Sequence, residues 1–548
     1  MSVFFIFSES KKRKHADALD GAVVEAGMAN GKAWALGGSG NQSAAEQLAG
    51  AAGITRLSLG IMAAFACSFF SVLLLGFTSL PCPSFSLHCI GGGCSPKPTS
   101  NSALTTTSLL LSSSSQRVIA RPSLNQALVP VAASKTFFPY PTDLAHIVFG
   151  IAASSKLWAS RKEYVKLWWR PAQMRGFVWL DKPMNSSPSM PPIKISSPTS
   201  NFSYTNPRGS RSAIRISRIV SETFRLHLPD VHWFVMGDDD TVFIPENLVK
   251  VLSKYNHSRY YYIGSNSESH TQNIHFSYNM AYGGGGFAIS YPLAKALERI
   301  QDKCLQRYSQ LFGSDDRLQA CMAELGVPLT KEAGFHQFDV YGDASGLLMA
   351  HPVTPLVSIH HLDIIDPVFP NMKRLQALKH LKKSIKVDPA GMLQQSFCYD
   401  NWRNWSISVS WGYAAQVYRG LHSPRFLELP TRTFISWYRT TEETAYPFSS
   451  RPVSLSPCEQ PVVFHMKNVS SRGDNQSESL YVRESKRRGS CKWKMASPAG
   501  LQWIHVLKEK TDESWHQAPR RQCCKILKSN RKNIYIQVRI CREGELVA

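Results

Sequence analysis

The run His232–Met236 (HWFVM) constrains the fold of this chain more than any other stretch. It is a short apolar strand that continues without a break into Gly237-Asp238-Asp239-Asp240. In open α/β sheets, ligands bind in the crevice at the carboxyl ends of strands. A strand that ends in three adjacent carboxylates delivers them to that crevice.

The flanking sequence alternates strand and helix signals. Leu144–Ile151 (LAHIVFGI) reads as a buried strand, and Lys156 to Trp169 follows with helical spacing up to Pro171. Gly176–Leu180 (GFVWL) is a second strand. Ala213–Leu228 places Ile216, Ile219, Val220 and Phe224 on one helical face before Pro229 and Asp230. This order predicts an α/β domain with a parallel sheet over about 143–395. From Gln394 the pattern changes to polar–apolar alternation (SFCYDNWRNWSISVSWGY), so residues 396–548 are expected to form a β-rich C-terminal region.

The preceding residues are of another kind. Residues 1–56 are Gly/Ala-rich without periodicity and read as a disordered cytosolic tail. Leu57–Leu80 carries no charge over 24 residues, enough to span a bilayer. A buried core helix is the bland alternative. Residues 81–142 contain no Asp or Glu and are rich in Ser, Thr and Pro, the composition of a stem. Arg56 abuts the apolar segment, Lys11–Lys14 lie on the same side, and Lys97 is the first base beyond it. The expectation is a type II signal anchor with the folded part in the lumen. Asn-x-Ser sequons at Asn185, Asn201, Asn256, Asn404, Asn468 and Asn475 agree, as do eleven of the 12 Cys, which lie beyond the segment. The chain holds 62 Lys and Arg against 39 Asp and Glu, a formal charge of +23. The bases are scattered and no nucleic-acid motif is present, so nucleic acid is not expected as a partner. A phosphate or an anionic glycan would be attracted equally well.

Four clusters can carry chemistry. Asp238, Asp239 and Asp240 repel one another, and a divalent cation is the simplest compensation; a solvated acidic turn or a helix N-cap fits the triplet too. Tyr282-Gly283-Gly284-Gly285-Gly286-Phe287 permits close backbone approach to a ligand, though a flexible turn explains it equally. Ser314-Asp315-Asp316-Arg317 opens a helix, with Ser314 as a cap or a carboxylate as a general base. Cys304 and Cys321 flank it and could brace it as a disulfide. His360-His361-Leu362-Asp363 follows the apolar run Leu356–Ile359 and could complete a divalent site.

WFVMGDDDTVF, YGGGGFAIS, GSDDRLQAC and SIHHLD, in this order and spacing, resemble the fringe-like β-1,3-glycosyltransferases. More closely, the chain resembles the plant fringe-related family long labelled a domain of unknown function, through HIVFGIAASSKLW, KLWWRP, MRGFVWLD, RSAIRISRIVSETFRL and APRRQCC. The resemblance covers about 140–548. It implies a GT-A fold, a Rossmann-like nucleotide-sugar domain, and a Golgi enzyme that transfers a sugar from a UDP-sugar donor to a glycan or glycoside hydroxyl with inversion, in a β-1,3 linkage. It implies Mn²⁺, or another divalent cation, on Asp240, Asp238 and His361. Asp238 and Asp239, with Gly284, Gly285 and Gly286, would border the donor. Asp316, ahead of Asp315, would be the base. A catalytically silent, lectin-like or scaffolding relative is the alternative.

Overall fold

The computed structural model describes residues 140–440, 442–485, 491–492 and 494–547. The tail, the apolar segment Leu57–Leu80 and the stem up to residue 139 lie outside them; the last residue assigned to the stem, Thr142, is buried and donates its N–H to Ser253 Oγ (3.2 Å), so the folded part begins slightly earlier than expected. Among the described residues no helix is long and apolar enough to cross a membrane.

The first half runs β1 (Ile147–Ala152), α1 (Ser155–Trp168), β2 (Arg175–Leu180), β3 (Ile193–Ile195), α2 (Ser212–Ser217), α3 (Ile219–Phe224), β4 (Trp233–Asp238), β5 (Val242–Phe243), α4 (Pro245–Leu252), β6 (Tyr262–Gly264), α5 (His270–His275), β7 (Phe287–Ser290), α6 (Tyr291–Arg307) and α7 (Ser314–Glu324). There follow β8 (Leu329–Lys331), β9 (Phe335–His336), β10 (Val340–Gly342), α8 (Ser345–Met349), β11 (Ser358–Ile359) and α9 (Arg374–Val387). The second half is β12 (Gln395–Asp400), β13 (Trp405–Ser410), β14 (Ala414–Arg419), α10 (Pro424–Leu427), β15 (Phe434–Ser436), β16 (Val462–Arg472), β17 (Gln476–Arg483), β18 (Trp503–Glu509), β19 (Cys523–Ser529) and β20 (Asn533–Arg539).

A seven-stranded sheet in the order β3-β2-β1-β4-β7-β6-β8 forms the α/β core. β1 pairs parallel with β2 and β4, but β7 runs antiparallel to β4 and β6. The sheet is therefore mixed, not parallel throughout. The left-handed turn at Gly286 (φ 85°) sends Phe287 back alongside Met236, and the strand that follows pairs with β4 in reverse. Further differences from the sequence reading are local. Leu144–His146 is a 3-10 turn ahead of β1. The single helix expected over 213–228 is divided at Arg218 into α2 and α3. The Ser217 hydroxyl donates back to the Ile214 carbonyl (2.9 Å), a bond that competes with the helical ladder.

The C-terminal half is an eight-stranded sheet, β12-β13-β14-β16-β17-β18-β20-β19. Its buried face is continuous with the α/β core: Ile147, Phe149 and Trp233 belong to the same apolar cluster as Trp411, Phe464 and Ile534. β15 departs from this sheet and pairs antiparallel with β10 of the first half. Disulfides join Cys304 to Cys321, Cys398 to Cys524, Cys458 to Cys491 and Cys523 to Cys541. The first braces α6 against α7, the pair expected from the sequence.

Three imidazoles stack where β1 and β4 begin. The His146 and His232 rings lie 4.0 Å apart, and those of His232 and His257 3.6 Å apart. Burial, and then the neighbouring His257 and His146, push His232 down to about 4. Burial pushes His516 to about 4 as well. An unfolded chain takes up protons on histidine near 6.5. Between that value and about 4 the unfolded state therefore binds more protons, and stability falls as pH drops through that window. Thermal midpoints measured from pH 7.5 down to 4.5 are expected to decline, and His232→Leu is expected to flatten the decline.

Candidate active site

β4 carries the triplet into the core: Asp238, Asp239 and Asp240 are 5%, 0% and 1% exposed. Carboxylates this deep require an opposite charge. Arg161 supplies it from the buried face of α1. Its Nη1 lies 3.0 Å from Asp239 Oδ1, and its Nη2 lies 3.0 Å from Asp240 Oδ2 and 2.7 Å from Asp363 Oδ2. Against the upward push of burial, Arg161 and then His360 hold the Asp240 carboxyl well below the usual range. Burial drives Asp239 upward, with Arg161 opposing. Thr241 closes the turn: its hydroxyl accepts from Asp238 N (2.8 Å) and donates to Gly284 O (2.7 Å). This bond ties the triplet to the glycine run.

His360 follows β11 and completes the constellation. Its Nε2 is 3.2 Å from Asp240 Oδ1 and 3.8 Å from Asp238 Oδ2. Although burial works against charging, Asp240 pulls the His360 imidazole upward. The ring lies so close to Gly284 that a Cβ there would meet it at 2.1 Å, so any side chain at that position would displace His360. Gly285 donates its N–H to Gln337 Oε1 (2.6 Å). Ligand atoms of Asp238, Asp240 and His360 all lie within 4.8 Å of one another. Both oxygens of Asp240 and Asp239 Oδ2 are buried without a hydrogen bond, Asp240 being held by ion-pair contacts alone. Hard oxygens with one imidazole, partly unsatisfied, suit a divalent cation.

The structure departs from the expected ligand set at His361. The residue adopts a left-handed backbone (φ 52°) and turns its Nδ1 to Asp339 Oδ1 at 3.1 Å. Its ring stacks on Trp437, with centroids 4.9 Å apart and planes 2° apart. His360, not His361, joins the aspartates. Trp437 in turn stacks on Tyr341 at 4.8 Å, and the Arg439 guanidinium lies 4.8 Å from the Tyr341 centroid. The β10–β15 pairing places this column, so the C-terminal half backs the histidine pair.

The two carboxylates of α7 have different surroundings. Asp316 Oδ1 accepts from Gly313 N and Arg317 N (both 2.9 Å), and its Oδ2 from Phe312 N (3.0 Å). It closes the first turn from the third helical position, and Gly313 holds the N-cap place expected for Ser314. Asp315 lies against Gly283 and lines a small cavity with Asp238, Ser314 and Met236. Burial and the charge of Asp238 push it up to about 7; burial lifts Asp316 to about 6. The cavity thus contains Asp315, where Asp316 was the preferred base.

Arg161 and Trp437 were not singled out in the sequence. Arg161 had a signal: it falls on the face of α1 that also carries Trp158, Val165 and Trp168, and an arginine among buried residues requires a partner. Trp437, 76 positions from His361, had none.

Two family models match the chain: "Fringe-like" over residues 142–354 and "Protein of unknown function, DUF604" over 272–524. Together they cover both halves of the described fold. These matches, with the relative below, support a fringe-related glycosyltransferase family for this chain. A mouse (Mus musculus) protein named beta-1,3-glucosyltransferase is 32% identical over 138 residues, 25% of this chain and 27% of that relative. The match therefore spans about a quarter of the relative's length. Two solved structures overlap with the fringe-related chain. The galactosyltransferase LgtC in complex with donor and acceptor sugar analogs gives a TM-score of 0.28 at 14% identity, over 42% of this chain and 94% of that one. Mouse xyloside xylosyltransferase 1 in its apo form gives 0.21 at 8% identity, over 34% and 82%. Overlap this slight carries no weight.

Removing the Arg161 guanidinium takes the ion-pair partner from Asp239 and Asp363 and leaves Asp240 with His360 alone. Arg161→Leu is expected to lower stability by about 3–5 kcal/mol in urea unfolding, with part of the loss recovered on adding Mn²⁺. If the group of Asp238, Asp240 and His360 takes a divalent cation, Trp437→Ala, which removes the ring behind His361 and so loosens the adjoining His360, is expected to weaken that binding several-fold by calorimetry. Trp437→Phe, which keeps a stacking ring, should restore most of it.

Proposed function

We propose that this chain is a metal-dependent inverting glycosyltransferase of the GT-A type, moving a sugar from a UDP-sugar to a glycan hydroxyl in β-1,3 linkage. The observation that carries the reading is the convergence of Asp238, Asp240 and His360 at the end of β4, with Asp315 buried beside the same glycine run. A divalent cation there would neutralise a diphosphate and act as a Lewis acid for its departure.

The chain's own residues do the rest. Arg161 holds the triplet oriented before substrate arrives, so little reorganisation accompanies the reaction. Asp239, Gly284, Gly285 and Gly286 border the donor side. Asp315, raised by burial into the range of a general base near neutral pH, takes the proton of the acceptor hydroxyl. The oxygen so freed attacks the anomeric carbon from the face opposite the leaving diphosphate, which inverts the centre without a covalent enzyme intermediate.

The setting is the Golgi lumen, with Leu57–Leu80 as the type II anchor. Four disulfides favour an oxidising compartment. Of the six sequon asparagines beyond the apolar segment, all but Asn256 are exposed.

Arg161 favours a second reading, because it already neutralises part of the triplet without a metal. In a silent relative it would hold the fold in place of a cation, and the domain would bind glycans without turnover.

UDP release from a panel of UDP-sugars, with Mn²⁺ and with chelator, separates the two readings. The transferase reading expects metal-dependent release from one donor, abolished in Asp240→Ala. It also expects Asp315→Asn to keep UDP–Mn²⁺ binding while losing transfer by about 10²-fold or more. A folded protein that releases UDP from no donor would favour the silent relative.

A further inference from the structure

The β12–β13 hairpin ends in a turn, residues 401–404, closed by the pairing of Asp400 with Trp405. At its tip Trp402 is 86% exposed, whereas the other described tryptophans are buried or half-buried. The ring is held in place from one side. The Arg403 guanidinium lies 5.1 Å from the Trp402 centroid and 5.3 Å from that of Trp405. It donates to Asp400 Oδ2 and to Ser529 Oγ, both at 2.7 Å. Beyond it opens a shallow groove lined by Tyr399, Trp402, Arg403, Leu527 and Lys528. Trp402 and, along the same groove, Leu527 leave apolar surface open to water, and covering it would be favourable.

Two residues along the same turn stands Asn404, exposed and in a left-handed conformation (φ 57°). It opens the sequon Asn404-Trp405-Ser406. The turn itself accounts for Asn404, since asparagine tolerates that backbone. Ser406 is accounted for by its hydrogen bond to Gly420 O (2.9 Å). Neither accounts for Trp402. Residues two apart have Cα atoms no more than about 7 Å distant, within reach of a sugar on the asparagine amide.

We propose that Asn404 carries an N-linked oligosaccharide and that its first sugar packs on the open face of Trp402. In the transfer, the Asn404 amide nitrogen bonds the anomeric carbon of an oligosaccharide carried on a polyisoprenyl diphosphate. The carbon–oxygen bond to the diphosphate breaks, the diphosphate leaves with the bonding pair, and the amide gives up one proton. An N-acetylglucosamine ring presents axial C–H groups on one face. These pack on an aromatic face, and the rest of the glycan lies along the groove. The hairpin is thereby covered by the chain's own modification. The proposal rests on the luminal setting proposed above.

The test is made on the full chain purified from a eukaryotic secretory host, wild type and Trp402→Ala. Site occupancy is read by glycopeptide mass spectrometry at the six sequons that lie beyond the apolar segment. Thermal midpoints are read before and after amidase removal of the glycans, which converts each asparagine to aspartate, a residue the turn also accepts. The expected result is an occupied Asn404. Trp402→Ala should then lower the midpoint by about 1–3 °C in the glycosylated protein and leave it unchanged in the deglycosylated one. Asparagine 404 bare while other sequons are occupied would overturn the proposal and leave the luminal setting standing. All six bare would overturn both. An equal effect of Trp402→Ala with and without glycan would overturn the stacking.

Discussion

The site depends on one guanidinium. Three adjacent aspartates at the end of a central strand cannot all be buried in a protein core without a positive charge beside them. Arg161 reaches two of them and also Asp363, so a single side chain joins α1, the end of β4 and the segment after β11. The aromatic residues around it fix where α1 lies. Trp168 packs against Phe149 and Phe243, and its indole donates to Thr241 O at 3.0 Å. The position of α1 and the orientation of the triplet are therefore one constraint, met by the apolar face of α1 and by the single charge within it.

The C-terminal half follows from the same geometry. His360 and His361 are consecutive, and their rings lie 4.1 Å apart. The left-handed backbone at His361 separates their roles, one toward the aspartates and the other toward Asp339. A non-glycine residue in that conformation is held there by its surroundings. Here these include the parallel Trp437 ring, which β15 brings from the second half. With a shared apolar core and a strand crossing into the first half, the β-rich region is a structural part of the site.

The sequence made most of this legible where chemistry and periodicity coincide. β4 and its aspartates could be read because an apolar run ends abruptly in charge. The β-rich half could be read from alternation, and the α6–α7 disulfide from two cysteines flanking one motif. What escaped depends on three-dimensional neighbours. The choice between His360 and His361 is decided by one φ angle and by Trp437. Which of Asp315 and Asp316 lies at the cavity beside Asp238 depends on which carboxylate meets the free N–H groups at the start of α7, and adjacent residues of the same type carry no sign of that. The mixed sheet escaped because the reversal at Gly286 resembles any glycine turn.

The division of Asp240 between two partners explains how a buried acidic cluster can be held in the fold and still offer ligand atoms on one side. Its Oδ2 faces Arg161 and its Oδ1 faces His360. The guanidinium offsets part of the cost of burying the carboxylates. The histidine edge is different. An imidazole loses its proton far more readily than a guanidinium, and a neutral ring can ligate a cation that the protonated ring would repel. The arrangement therefore assigns permanence to one side of the triplet and exchange to the other. It is the exchangeable side that faces Gly284 and is backed by the column from the C-terminal half.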